Sequence, residues 1–155
     1  MAASDARAAL LGARSIANAF ERAPALVDDL VREGPYASVE EVMRKAAALV
    51  DALSASDRIA LLDAHPRLGA GQTTLSAASA REQGQATDAG TMRELARLND
   101  QYERRFGFRC VVFVAGRAKD ALVPVMRARL ARDRAAELRT GLDEFLAIAR
   151  DRLAG

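Results

Sequence analysis

His65 is the only histidine of this 155-residue chain, and it stands in Ala64-His65-Pro66 at the end of a helical pattern. An imidazole exchanges protons near neutral pH, so a single one at a fixed helix end is a candidate acid or base. Because proline disfavours helical geometry at the residue before it, we expect the chain to turn at His65. The alternative is a structural histidine whose ring bonds a backbone carbonyl.

A second polar group follows the histidine along the chain. Ser79 and Glu82 are three residues apart, so they share one side of a short helix predicted over 76–83, with Gln83 beside them. A hydroxyl, a carboxylate and an amide grouped in this way can bind a polar small molecule rich in nitrogen and oxygen. The same Ser-x-x-Glu spacing is also a common helix-capping pattern, which is the alternative.

Arg152 lies on the apolar face of the last predicted helix. Steps of three and four residues align it with Leu138, Leu142, Phe145 and Ala149. An arginine directed towards a core needs an anionic partner, because burying its charge alone costs several kcal/mol. The alternative is that the helix end frays and the side chain reaches water.

The only cysteine begins a continuous apolar run, which is too short for a helix and typical of a buried extended segment. The run consists of Cys110, Val111, Val112, Phe113, Val114 and Ala115. A thiolate beside His65 would be a nucleophile, but these apolar neighbours favour a buried, inert thiol. One cysteine and one histidine exclude an intramolecular disulfide and a Cys/His zinc cluster.

Helical periodicity runs through most of the chain and predicts the elements that position these groups. Half of the residues (50%) are hydrophobic, and β-branched residues cluster only in the apolar run, which favours an all-α fold. We expect residues 1–155 to form a single-domain helical bundle of about seven helices with one short extended apolar segment. The predicted helices lie at about 15–20, 24–32, 38–53, 54–65, 76–83, 88–106 and 133–153, and Pro124 falls early in one more.

The charges are balanced, with 23 basic and 21 acidic residues. The densest basic stretch holds Arg127, Arg129, Arg132 and Arg134 without interleaved aromatic residues, which predicts a solvated helix face and no nucleic-acid partner. The N-terminal residues show neither a signal-peptide pattern nor a long apolar stretch. We therefore expect a cytoplasmic protein with no membrane partner.

Four dispersed motifs together resemble the OHCU decarboxylase family, where OHCU is 2-oxo-4-hydroxy-4-carboxy-5-ureidoimidazoline, an unstable intermediate between urate and allantoin. The motifs are Ala64-His65-Pro66-x-Leu68-Gly69, Ser79-x-x-Glu82-Gln83, Leu98-Asn99-x-x-Tyr102-x-x-Arg105-Phe106-Gly107-Phe108 and Ile148-Ala149-x-x-Arg152-Leu153. They occur in the family's order and cover nearly the whole chain.

The resemblance implies an all-helical enzyme without metal or cofactor, usually a homodimer, which removes carbon dioxide from OHCU to give (S)-allantoin. It implies catalytic roles for His65, Glu82 and Arg152. It also implies substrate-binding positions at Pro66, Ser79, Glu82, Gln83 and Arg152, and at the backbone groups of Cys110, Val111, Val112, Phe113 and Val114.

Two features depart from the pattern of many members of that family. Arg109 and Cys110 stand where those members have proline and phenylalanine, so the shape of this wall is expected to differ. The chain ends in Leu153-Ala154-Gly155 without a peroxisomal address, which agrees with the cytoplasmic expectation. The rival interpretations are a non-catalytic helical adaptor of the ureide pathway and a decarboxylase or lyase for another ureido acid.

Overall fold

The computed structural model describes residues 10–69 and 89–155, and seven α-helices lie within these two ranges. They are α1 (Ala13–Ala19), α2 (Pro24–Glu33), α3 (Val39–Asp51), α4 (Ala55–Asp63), α5 (Ala89–Phe106), α6 (Lys119–Leu130) and α7 (Arg134–Ala154). The described ranges hold no strand, only an isolated antiparallel bridge between Leu11 and Tyr36. The all-α prediction is confirmed, whereas the helix predicted over 76–83 lies outside the described residues.

Local side-chain bonds set the starts of α3 and α4. The Ser38 hydroxyl accepts a hydrogen bond from the Glu41 N–H at 3.2 Å, and the Glu41 carboxylate accepts one from the Ala37 N–H at 3.0 Å. This is the predicted capping box with the return bond shifted by one residue. Ser54 caps α4 by accepting from the Asp57 N–H at 3.1 Å. Both helix starts follow directly from the sequence.

The described residues fall into two compact units, and unit 1 comprises 10–61 and 146–155. Its first three helices each bury one apolar face, as their periodicity predicts. The Tyr36 hydroxyl donates a hydrogen bond to the Leu30 carbonyl at 2.8 Å and so ties the segment after α2 to that helix. The buried side chains of these helices are Ile16, Ala19, Leu26, Leu30, Val42, Ala46 and Val50.

Unit 2 comprises the described residues 62–69 and 89–145. Its central element is α5, which packs along α6. The predicted stripe on α5 is buried as expected at Leu95, Leu98, Asn99, Tyr102 and Phe106. An aromatic cluster closes its end, because the rings of Tyr102 and Phe106 lie 4.6 Å apart and Phe108 lies 6.0 Å from both.

No helix in the described part of the chain is both long enough and apolar enough to cross a membrane.

Candidate active site

His65 lies in a turn two residues beyond the end of α4. Its backbone N–H donates to the Leu62 carbonyl at 3.1 Å, and its ring meets the ring of Phe145 edge to face, with centroids 5.2 Å apart. The Nε2 atom is buried, whereas the following Pro66 is exposed. The predicted turn at His65 is confirmed, and it places the imidazole against the ring of Phe145.

A close approach between helices sets this ring contact. A Cβ atom added at Gly141 of α7 would lie 3.1 Å from Cδ1 of Leu62, which is completely buried. Glycine therefore lets α7 come close to the end of α4 at this level. Phe145 is one helical turn after Gly141 and His65 is three residues after Leu62, so the ring pair forms the next layer of the same packing.

Helix α5 holds the residues that follow His65. The Asn99 amide donates to the Leu68 carbonyl at 3.0 Å, and the Arg67 guanidinium pairs with Asp100 at 2.7 Å and with Glu103. Gly69 then adopts a φ of +89°, a backbone conformation that glycine accepts without strain. The turn is therefore fixed by side chains from a helix thirty or more residues away in sequence.

Arg109 joins the apolar run to the histidine turn. Its backbone N–H donates to Oδ1 of Asp63 at 3.0 Å, and its guanidinium donates to the carbonyl oxygen of His65 at 2.8 Å. The same guanidinium lies 3.6 Å from Oε1 of Glu103. The structure thus brings together two of the predicted groups, His65 and the start of the Cys110–Val114 segment.

The segment from 109 to 114 belongs to neither a helix nor a strand. Cys110, Val111 and Val112 are buried, whereas Phe113 and Val114 are partly exposed. Burial raises the pKa of the Cys110 thiol to about 12, so the thiol stays protonated at neutral pH. This agrees with the predicted inert thiol and leaves backbone groups as the polar atoms of the segment.

A buried polar network that was not predicted from the sequence supports this segment. Glu137 is completely buried and accepts hydrogen bonds from the Tyr102 hydroxyl at 2.6 Å, from Arg129 Nε at 2.6 Å and from Arg132 at 2.9 Å. Arg129 also donates to the Val111 carbonyl at 2.5 Å. The network therefore fixes one carbonyl of the apolar run.

The prediction of a solvated basic face is wrong for Arg129, which is only 6% exposed. Arg127 and Arg132 are exposed as predicted. The physical reason is that Glu137 supplies an anion inside the fold, so the guanidinium is buried with its charge compensated. The sequence did contain a signal for this burial. Arg129 shares a helical spacing with positions 119, 122 and 126, which puts it on the inward face of α6 with Leu122 and Met126.

Arg152 lies in unit 1, near the end of α7. Its side chain is 41% exposed, so it reaches water, as the alternative to a core-directed arginine predicted. The guanidinium lies 3.8 Å from the Glu21 carboxylate and 3.5 Å from the Ala19 carbonyl, so an anionic partner is also present. Both contacts are long and leave N–H donors accessible to a ligand.

The predicted substrate-binding residues Ser79, Glu82 and Gln83 lie outside the described residues, so their roles stay predictions. Both units of the described part contain a cavity of notable size. A cleft of about 270 Å³ in unit 2 is lined by Asp63, Glu103, Gly107, Phe108 and Arg109, directly beside the histidine turn. Another of about 280 Å³ lies in unit 1 between residues of α2, α3 and α4, and it is lined by none of the predicted site residues.

These observations define an all-helical protein whose lone histidine is held in a turn next to an irregular apolar segment. Residues 9–154 match the model of the family described as OHCU decarboxylase. The 2-oxo-4-hydroxy-4-carboxy-5-ureidoimidazoline decarboxylase of Haloferax volcanii is 34% identical over 139 residues, which cover 87% of this chain and 82% of the relative. The protein of the same name from Mus musculus is 36% identical over 145 residues, covering 88% and 80%. The chain belongs to the OHCU decarboxylase family.

A solved structure supports the fold independently. A crystal structure described as OHCU decarboxylase in the presence of (S)-allantoin superimposes with a TM-score of 0.74 over 90% of this chain and 95% of that chain. The two sequences are 20% identical in that superposition, so the similarity shows the shared helical fold. The expectation of a helical bundle with one irregular apolar segment is therefore confirmed.

Proposed function

We propose that this protein catalyses the cofactor-independent decarboxylation of 2-oxo-4-hydroxy-4-carboxy-5-ureidoimidazoline to (S)-allantoin in urate degradation. It is a carboxy-lyase by family, because the family model matches residues 9–154. The observation that carries the specific proposal is the lone imidazole of His65, buried at Nε2 and held in a turn bonded on several sides. A fixed imidazole is suited to deliver a proton to one face of a bound molecule.

The reaction breaks the bond between the ring carbon and its carboxylate carbon. Carbon dioxide leaves, and the electron pair is delocalised into the imidazoline ring until a proton is added on one face. We assign the proton transfer to His65, which first accepts a proton from the 4-hydroxyl group or orients the carboxylate and then delivers a proton to one face of the new stereocentre. Positioned acid–base action of this kind contributes a factor of about 10² to 10⁴ in rate.

The remaining predicted residues bind the substrate in this proposal. Arg152 pairs with an anionic or carbonyl group of the substrate, because its guanidinium is accessible and holds Glu21 only at 3.8 Å. Glu82, Ser79 and Gln83 bind the ureido and ring nitrogens. Pro66, which is exposed next in the chain to His65, and the backbone groups of 110–114 also contact the substrate in this proposal.

The proposal also covers the number of domains, the oligomeric state and the location of the protein. Residues 1–155 form one OHCU decarboxylase-like domain, which the match over 9–154 supports because it runs through both compact units. A homodimer follows from the resemblance, and light scattering coupled to gel filtration tests it. A cytoplasmic location is supported by the single cysteine, which offers no disulfide framework.

The test combines urate oxidase, hydroxyisourate hydrolase and this protein, and follows allantoin formation by circular dichroism. Spontaneous decay of OHCU gives racemic allantoin, so an enzyme is recognised by a one-handed signal. His65→Asn is expected to keep the far-UV helical spectrum and to abolish the one-handed signal, while the exposed Arg104→Met keeps it. Unchanged activity of His65→Asn excludes His65 as the proton carrier, and no signal from the wild type favours the adaptor.

The substrate-binding assignments are tested in the same assay. Glu82→Gln and Arg152→Ala are expected to raise KM and also to lower kcat, because both groups select the reactive pose. A variant that behaves like the wild type shows that its residue has been assigned the wrong role. A wild type that acts on another ureido acid and leaves OHCU unchanged supports the rival lyase.

A further inference from the structure

We propose that Arg109 is a positioning residue for His65: its guanidinium holds the His65 carbonyl, and its backbone N–H holds the end of α4. The two bonds are 2.8 Å long to the His65 oxygen and 3.0 Å long to Oδ1 of Asp63. One bond therefore holds His65 itself, and the other holds Asp63, two residues earlier in the chain. The inference rests on the proposed function, in which His65 transfers the proton.

Arg109 with its two bonds forms a clamp on the histidine turn, and this clamp is itself held on the side away from His65. Beyond His65, the Arg109 guanidinium lies 3.6 Å from Oε1 of Glu103 on α5, and Arg67 on the other side of the turn pairs with the same carboxylate. Asp100 is a second partner of Arg67, at 2.7 Å. Glu103 is therefore shared by Arg67, two residues after His65 in the chain, and by Arg109, which is bonded to the His65 carbonyl. This carboxylate connects the turn to the longest helix of unit 2.

The chemistry of this clamp requires arginine. A guanidinium offers several N–H donors in a rigid fork, so it can donate to a carbonyl and face a carboxylate at the same time. A lysine ammonium at the same position carries the charge on a flexible stem and lacks that fixed geometry. A proline at this position would have neither a side-chain donor nor the N–H that bonds Asp63.

Holding the carbonyl of His65 restricts where its ring can lie. The ring already contacts Phe145 at a centroid distance of 5.2 Å, so two points, backbone and ring, determine its orientation. Catalytic groups act efficiently only within a narrow range of positions, and a misplacement of about 1 Å can cost about 100-fold in rate. We therefore expect Arg109 to act on turnover through His65, without direct contact with the substrate.

The lone histidine makes the experiment direct, because the chain has one imidazole and gives one set of imidazole NMR signals. Arg109→Met removes the fork and keeps the backbone N–H. It is expected to shift or split the His65 signal and to lower kcat about tenfold, while KM stays within about twofold. Arg109→Lys is expected to recover only part of the activity. Arg104→Met removes the same charge from exposed α5 surface and is expected to change neither quantity.

Each outcome decides the question. An unchanged His65 signal in Arg109→Met overturns the inference whatever the activity, and a shifted signal with unchanged kcat overturns the link to turnover. If Arg109→Met loses its far-UV helical spectrum, Arg109→Gln takes its place, since its amide group keeps N–H donors but carries no charge. Failure of the proposed function is distinguishable, because an active His65→Asn enzyme removes the catalytic role of His65 and leaves the NMR comparison intact.

Discussion

Nε of Arg129 lies 2.6 Å from Oε1 of Glu137, and the two side chains are only 7% and 0% exposed. Such a pair is stable only when its remaining donors and acceptors are also bonded, because both charges have lost their water. Tyr102 and Arg132 donate further hydrogen bonds to the Glu137 carboxylate, and the Val111 carbonyl accepts one from the Arg129 guanidinium. The pair therefore links α5, α6 and α7 to the apolar segment beside His65.

Removing one charge of this pair is expected to be costly. Glu137→Gln keeps the shape of the side chain but leaves the Arg129 guanidinium buried without its anion, and we expect a loss of about 3 kcal/mol or more in the free energy of unfolding. Urea denaturation followed by circular dichroism measures this loss. The control is Asp143→Asn on the same helix, whose exposed pair with Arg139 spans 3.7 Å and contributes less than about 0.5 kcal/mol. Equal losses in the two variants would contradict the role of the buried pair.

The helices of this fold could be predicted because their signals are local. The Ser38–Glu41 spacing, the proline after His65 and the apolar stripe on α5 each lie within a few residues of the structure that they determine. Cys110 is a similar case, since its apolar neighbours indicated its burial. Each of these predictions needed only the period of a helix or the geometry of a proline.

The contacts around His65 could not be predicted in the same way. Arg109 and His65 are 44 positions apart, and Arg129 meets Val111 over 18 positions. Arginines are abundant in this chain, so their composition alone indicated a solvated surface. Which of them is buried depends on where an anion or a carbonyl lies in the folded chain, and no local pattern encodes that position.

The buried thiol of Cys110 is expected to make the protein sensitive to alkaline pH. Burial raises its pKa from 9.0 to about 12, so above pH 9 the unfolded chain loses the thiol proton while the folded chain keeps it. The free energy of unfolding then falls as pH rises, and this residue accounts for about 2 kcal/mol between pH 8 and 10.5.

Cys110→Ala is the variant that isolates this contribution. It is less stable at pH 8 because it leaves a small cavity, but it loses about 2 kcal/mol less than the wild type when the pH is raised to 10.5. Urea denaturation at the two pH values measures both losses. Identical losses in the variant and the wild type would show that the thiol is not responsible.

Lys119 is expected to destabilise the folded state at neutral pH. Its Nζ atom is buried and has no hydrogen-bond partner in the described ranges, and burial lowers its pKa. Lys119→Met keeps the apolar stem and removes the charge, so the free energy of unfolding should rise by about 1–3 kcal/mol at pH 7. Because the lowered pKa makes the wild type more stable as pH rises towards the ordinary lysine value, the advantage of the variant should shrink with increasing pH.

The other lysine of the chain provides the matched control for this prediction. Lys45 is partly exposed and pairs with Glu33 at 2.6 Å, so Lys45→Met should lower the free energy of unfolding only slightly. The two methionine variants are thus expected to change stability in opposite directions in one thermal or urea titration. A loss of stability in Lys119→Met would mean that its ammonium group contributes a favourable bond.

Arg152 and Arg150 offer a comparison within one helix that tests substrate binding. Arg150 pairs with Glu40 on the surface, whereas Arg152 holds Glu21 only at 3.8 Å and keeps donors accessible. Arg152→Ala should raise KM at least about tenfold and lower kcat, since a hydrogen bond to a charged group contributes about 1.5 kcal/mol or more. Arg152→Lys should recover little because it lacks the fork, and Arg150→Ala should retain both constants. The coupled assay for one-handed allantoin measures all three variants, and a wild-type KM and kcat for Arg152→Ala would remove this arginine from the substrate-binding group.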